Sequence, residues 1–298
     1  MELLVDVLGP VVVIVAAGAV LGRWKSVDAQ HLSTLAFWLL GPAFVLDVFG
    51  DAEIGSDVLV RLAAAALVAM LASALAGWLL GRTAGFVGDR RAASVMMATY
   101  GNVGNAGLAI SVFAFGEAAS ATAALLMVLI NGVGMVVGVA SGSITSDGLG
   151  VALRRALLAP VTVAAFVAVA LNLGSVELPL VAERSLGLMS DGLIPMMLVT
   201  LGVQLASTGW PSLEADFGVV ASSKLLVAPA VAYLAGRWFG LSGMDLGVLT
   251  VQSAMPPAVF CVVVSLQYNL EPARVVRTVS AVTLAALMTL PVVLAVVT

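Results

Sequence analysis

The chain has 298 residues, 61% of them hydrophobic and 10% charged, with a mean hydropathy of +1.14 and a formal net charge of −4. Soluble domains carry about 25% charged residues, so this composition excludes an ordinary water-soluble fold and points to an all-α polytopic membrane protein. It also excludes a basic patch suited to nucleic acid, an intrachain disulfide (Cys261 is the only cysteine) and a histidine-rich metal site (His31 is the only histidine).

A spanning helix needs about 20 mostly apolar residues. Ten such segments are readable, at 3–22, 32–50, 58–81, 91–115, 119–141, 152–173, 185–207, 214–236, 245–269 and 274–297. Short loops account for the rest, and no length is left for a soluble domain. The N-terminus, MELLVDV, lacks the positive region of a cleaved signal peptide, so the first helix is expected to be retained. One set of alternate loops holds Arg23, Lys25, Arg82, Arg90, Arg91, Arg154, Arg155, Arg274 and Arg277. The other holds Arg61, Arg184 and Arg237. The richer set is expected to be cytoplasmic, which places both termini outside the cell. The outer loop around Asp47, Asp51, Glu53 and Asp57 agrees with this orientation.

Five segments in each half would insert the halves with opposite orientation. Landmarks recur at nearly one offset: Pro10 and Pro160, Pro42 and Pro195, Gly81-Arg82 and Gly236-Arg237, Glu117 and Glu271. The expectation is a 5+5 inverted repeat, residues 1–145 and 146–298.

Two segments are interrupted by helix-breaking residues. Residues 101–107 read GNVGNAG in the fourth segment, and residues 253–257 read SAMPP in the ninth. The fourth enters from the cytoplasm after Arg91 and meets Gly101 about 15 Å in, half of the ~30 Å hydrocarbon core. The ninth enters from outside and breaks at a similar depth. Both breaks are therefore expected near the midplane, where the two segments can cross. Backbone groups freed there must be satisfied by protein, water or a solute. Paired interruptions in two halves point to a transporter's binding site.

Gly101, Gly104 and Gly107 permit close backbone approach. Asn102 and Asn105 each bring a carbonyl acceptor and an amide donor, and Asn105 suits an N-cap. Pro256 and Pro257 remove two N–H donors, and Pro257 suits the first position of the next half-helix. Both second half-helices would aim partly positive N-termini at the crossing, which attracts a carboxylate. The competing reading of the glycines is a small-residue helix contact.

GNVGNAGLAISVFAFGEAA resembles the fourth-helix motif of the auxin efflux carrier family, and AMPPAVFCVVVSLQYNLEPARV resembles its ninth-helix motif. The order and length of the ten segments are similar too. Where the family has Pro after Gly-Leu, this chain has Ala109, which leaves the glycines to allow the bend. The resemblance implies a bile-acid-symporter-like fold. Segments 1, 2, 6 and 7 would form a scaffold, and segments 3–5 and 8–10 a moving transport domain. It further implies elevator-type transport, often as a homodimer, and small organic anion substrates such as auxin or dicarboxylates. The short loop between the fifth and sixth segments resembles prokaryotic members, so the expected location is the cell (inner or plasma) membrane.

Other polar residues extend the candidate site. Lys224, about ten residues into the eighth segment, costs roughly 2.5–3.5 kcal/mol at a helix centre and needs a partner, water or an escape route. It would balance the substrate's charge or replace a bound cation; alternatively it snorkels to the interface. Asn131, in the fifth segment, would line the site or make an interhelical hydrogen bond. Gln252 and Ser253 precede the second break, near positions where related folds hold sodium. Asp47 and Asp191 are expected at the outer interface, Tyr268 as an interfacial anchor, and Met96, Met97, Met196, Met197 and Met255 as core.

The expected function is therefore secondary transport of a small organic anion through the lipid bilayer, with proton or sodium coupling open and no cofactor. A cation/proton antiporter of related fold and a non-transporting membrane receptor are the alternatives. An enzyme is not expected, because no nucleophile–base set, metal cluster or phosphate loop is present. The orientation is checked in a Cys261→Ser background. Arg91→Cys should react with an impermeant maleimide only from the cytoplasmic side, and Asp57→Cys only from outside; the opposite pattern overturns it.

Overall fold

Uninterrupted apolar runs rich in Ala, Leu and Val satisfy their own backbone polar groups only as helices in an apolar medium. The computed structural model describes residues 2–25, 27–50, 55–142, 148–174, 176, 178–207 and 213–298. Every regular element among them is helical, apart from one isolated antiparallel bridge. Of the expected outer loop, Asp51 and Glu53 lie outside the described residues, as does the expected boundary between the halves at 145–146.

Among the described residues, seven helices are long and apolar enough to cross a membrane: Val7–Lys25, Ala29–Phe49, Asp57–Thr83, Glu117–Gly138, Leu180–Ala206, Ala215–Trp238 and Pro272–Val297. The fourth, sixth and ninth expected segments do not form single helices. The fourth divides into Gly88–Thr99 and a piece running through Val103–Gly107 to Leu108–Phe115. The sixth divides into Gly148–Leu157 and Pro160–Leu173, because Pro160 opens a new helix rather than continuing the old one. The ninth divides into Gly243–Ser253 and Phe260–Tyr268. The seventh starts earlier than expected, at Leu180.

Among the described residues, three segments carry a π-helical turn: Ala36–Leu40 in the second, Val103–Gly107 in the fourth and Ser222–Val227 in the eighth. Such turns displace side chains from the regular helical rows and often occur at functional sites.

Packing joins the first helix to the seventh, and the second to the sixth and seventh. The third packs on the fourth and eighth, the eighth on the ninth, and the ninth on the tenth. Small residues let these backbones touch. A Cβ at Gly18 or Gly202 would overlap backbone atoms of Val199 or Val15, where the first and seventh helices cross.

One local structure recurs at an offset of 155 residues. After the third helix, Ala84 N–H donates to Leu80 (2.9 Å) and Phe86 N–H to Gly81 (2.8 Å), with Gly85 at φ +76° and Gly88 at φ +52°. After the eighth, Phe239 N–H donates to Ala235 (2.9 Å) and Leu241 N–H to Gly236 (2.8 Å), with Gly240 at φ +80° and Gly243 at φ +53°. The paired 5→1 and 6→1 bonds close both helix ends on left-handed glycines.

Gly202→Ala should destabilise the protein by about 1–3 kcal/mol through overpacking. Gly192, in the same helix with open space around its Cβ position, is the control: Gly192→Ala should leave the melting temperature unchanged or higher. Equal effects would remove the close contact from the account.

Candidate functional site

The two interruptions pair with each other. The fourth segment leaves helical geometry at Tyr100 (φ −91°, ψ 101°), and the ninth leaves it after Ala254. Asn102 N–H donates to the Pro256 carbonyl at 2.7 Å, and Ala258 N–H donates to the Tyr100 carbonyl at 2.8 Å. Gly101 and Pro257 face each other in the antiparallel bridge so formed. They are its non-hydrogen-bonded pair, where opposed Cα atoms come closest. Pro257 fits because this place asks for no N–H. Gly101 fits because a Cβ would stand 2.9 Å from Lys224 Nζ and 3.1 Å from its Cε.

Helical structure resumes differently from expectation. Asn102, not Asn105, caps the next piece: its carbonyl accepts from Ala106 (3.3 Å) and Gly107 (3.2 Å), and its side chain makes no capping bond. Asn105 falls inside the π turn, half-buried. Pro257 does not begin the next half-helix, which starts at Phe260 with Val259 at its cap. The bridge holds Pro257 extended, so the helix must restart beyond it. Ala109 is buried inside Leu108–Phe115. The break lies N-terminal to it, so a proline at 109 is not needed for unwinding.

Gly101, Asn102, Gln252, Ser253, Pro256, Pro257 and Lys224 are all buried at or beside this crossing. Asn102 Nδ2 and both amide atoms of Gln252 are buried without a hydrogen-bond partner. Gln252 Oε1 lies against Gly107, where a Cβ would overlap it. Gly104 sits beside Met197 and Met127, whose nearest atoms lie 3.4 and 3.8 Å from a Cβ built there. Buried polar atoms are nearly always satisfied, so three orphans in one place mark a site for water or a polar ligand.

Lys224 does not reach for the interface. It lies in the π turn of the eighth segment, is 2% exposed and makes no ion pair among the described residues. Asn131 stands apart from the other asparagines. It lines a cleft bounded by Phe37, Tyr100, Val128, Met135 and Thr162, between the fourth and fifth segments on one side and the second and sixth on the other. Tyr100 links cleft and crossing: its carbonyl belongs to the bridge, and its ring packs 5.5 Å from that of Phe260.

Sequence reading passed over three supports. Ser73 donates to the Ala98 carbonyl at 2.6 Å and lies 2.9 Å from the Ser223 carbonyl, tying the third segment to the fourth and eighth beside the break. Its only sequence signal is a lone hydroxyl in an alanine-rich helix. Asp216, buried, binds Arg90 through two hydrogen bonds (2.7 and 3.1 Å) and Arg274 at 3.1 Å. Arg274 also binds Glu214 at 2.8 Å. Thr122 donates to Asp245 at 2.7 Å, joining the fifth and ninth segments. Among the described residues no group of three His, Cys, Asp or Glu side chains could hold a metal ion.

A family model described as membrane transport protein matches residues 140–294. A putative malonate transporter of Rhizobium meliloti is 29% identical over 196 residues, covering 62% of this chain and 60% of the relative. An uncharacterized transporter of Methanocaldococcus jannaschii is 28% identical over 89 residues, 30% of this chain and 29% of the relative. Auxin efflux carrier component 3a of Oryza sativa subsp. japonica is 33% identical over 102 residues, 33% of this chain and 16% of the relative. The chain thus aligns with 60% or less of the length of each of these relatives.

Asp216→Ala leaves Arg90 and Arg274 without their shared buried partner. It should destabilise the protein by about 2–3 kcal/mol, less than a fully buried pair because both arginines keep contact with solvent. Thermal unfolding checks this; a stability equal to wild type would show that the cluster contributes nothing.

Proposed function

The chain belongs to the membrane transport protein family, which includes the auxin efflux carriers, and from that premise we propose that it is a secondary transporter of a small organic anion. Its carboxylate would bind at the crossing of the fourth and ninth segments. The observation that carries this reading is that an ammonium with no ion pair among the described residues, and orphaned amides from both interrupted segments, are all buried at or beside the crossing. Lys224 supplies counter-charge, and Asn102 and Gln252 supply N–H donors. Gly101, Gly104, Ser253, Pro256 and Pro257 shape the backbone around the anion. Asn105 and Asn131 contact the remainder of the solute from the half-buried side and the adjoining cleft. Stabilising a charge by preset donors in a water-poor interior needs no reorganisation when the solute arrives.

The proposed architecture is ten spanning segments in a 5+5 inverted repeat, residues 1–145 and 146–298. The closing turns that recur after the third and eighth helices support it, as does the antiparallel pairing of the two breaks. The grouping of contacts supports a scaffold of segments 1, 2, 6 and 7 and a transport domain of segments 3–5 and 8–10. An elevator-type shift would carry the crossing past the scaffold, whose outer face would pair two copies as a homodimer. We place the protein in the cell membrane with both termini outside. Proton or sodium coupling would act on the same crossing. A proton-exchanging carboxylate is what the antiporter alternative needs. Asp216 is the one carboxylate buried among the described residues, and two arginines hold it.

Uptake of labelled organic acids into proteoliposomes tests the site. Removing a buried hydrogen-bonding side chain costs about 1–3 kcal/mol, so Asn102→Ala should lower uptake or affinity roughly 5- to 150-fold. Asn105→Ala, at the half-buried edge, should have the smaller effect. Unchanged uptake in both variants would move the site away from the crossing.

A further inference from the structure

Two charged side chains are buried among the described residues, Asp216 and Lys224. Asp216 is neutralised by Arg90 and Arg274. Lys224 has no such partner, and an isolated ion in an apolar interior is held at a cost. Its ammonium lies directly behind Gly101, on the bridge that joins the two interrupted segments. The polar atoms left without partners at the same crossing belong to Asn102 and Gln252, both uncharged. The formal charge built into the crossing is therefore one positive charge.

We propose that Lys224 is the fixed counter-charge of the crossing and sets the charge class of the cargo: a monocarboxylate with an otherwise uncharged body, in preference to a dicarboxylate. The inference rests on the organic-anion reading given above. One carboxylate cancels the ammonium and accepts hydrogen bonds from the Asn102 and Gln252 amides. The N-termini of the resumed helical pieces add only about half a charge each, less than a second carboxylate needs. A second carboxylate would enter the interior with no second buried cation among the described residues to meet it. The adjoining cleft is suited instead to an uncharged body: Phe37, Val128, Met135 and the Tyr100 ring form its walls, with Asn131 and Thr162 as neutral polar contacts. The proposal sets this chain apart from the relative whose name specifies malonate, a dicarboxylate.

Lys224 acts from behind the backbone rather than within the cleft, which makes it a positioning residue. Its role is read from ligand charge preference, which loss of packing alone would not alter. The purified full chain is melted at pH 7 with matched pairs, propionate against malonate and butyrate against succinate, and with chloride alone. Uptake of the same acids is measured in proteoliposomes. Wild type should be half-saturated by each monocarboxylate at a concentration at least about tenfold below that of its dicarboxylate partner. Lys224→Arg should keep the preference, and Lys224→Met should lose it. Ligand-free Lys224→Met should melt no lower than wild type, because the substitution removes a buried charge.

Equal or better binding of the dicarboxylates would overturn the inference while leaving organic-anion transport standing. So would an unchanged preference in Lys224→Met, or a shift from chloride as large as that from the monocarboxylates. If no acid of either class binds or is taken up, the transport reading itself fails.

Discussion

Two hydrogen bonds hold the centre of this protein together. In an apolar interior a broken helix exposes N–H and C=O groups that have no water to turn to. The fourth and ninth segments solve this for each other, Asn102 donating to Pro256 and Ala258 donating to Tyr100. Neither break is stable alone. Each supplies the partner that the other lacks, so the segments cross where they break.

The crossing explains the residues around it better than their individual propensities do. Pro257 is tolerated because its place in the bridge needs no donor. Gly101 leaves the space of a Cβ to the ammonium of Lys224. Gly107 leaves it to the amide of Gln252. Ser73 then ties the third helix to the carbonyls of Ala98 in the fourth segment and Ser223 in the eighth. The result is a rigid frame around a few polar atoms that the protein itself does not satisfy. A frame this tight could have excluded the orphaned amides, and it keeps them.

Charge is handled in two ways. At the starts of the fourth, eighth and tenth segments, Asp216 is shared by Arg90 and Arg274, and the cluster reaches solvent through Glu214. It closes its own account and binds the three helix ends to one another. Lys224, deeper in the same eighth segment, is left open. A closed cluster stabilises, whereas a buried charge left without a partner is held at a cost.

Much of this arrangement was legible in the amino-acid sequence. Apolar runs of spanning length, the bias of Arg and Lys between alternate loops, and the two interruptions are local properties of composition, and local physics reads them directly. The sequence also showed that Asn102, Pro256 and Pro257 lie at breaks, because glycine and proline act on their own backbone. It did not show which asparagine would cap, since that depends on where the bridge ends. It did not show which way Lys224 turns, because the packing that buries it comes from residues remote in the chain. Asp216 with Arg90, 126 residues away, and Ser73 with Ser223, 150 residues away, were hidden for the same reason. Sequence by itself determined where the chain is apolar, where it must break and which chemistry stands at each break. Only the tertiary structure decided which freed groups find each other and which remain open, because those outcomes depend on contacts between residues remote in the chain.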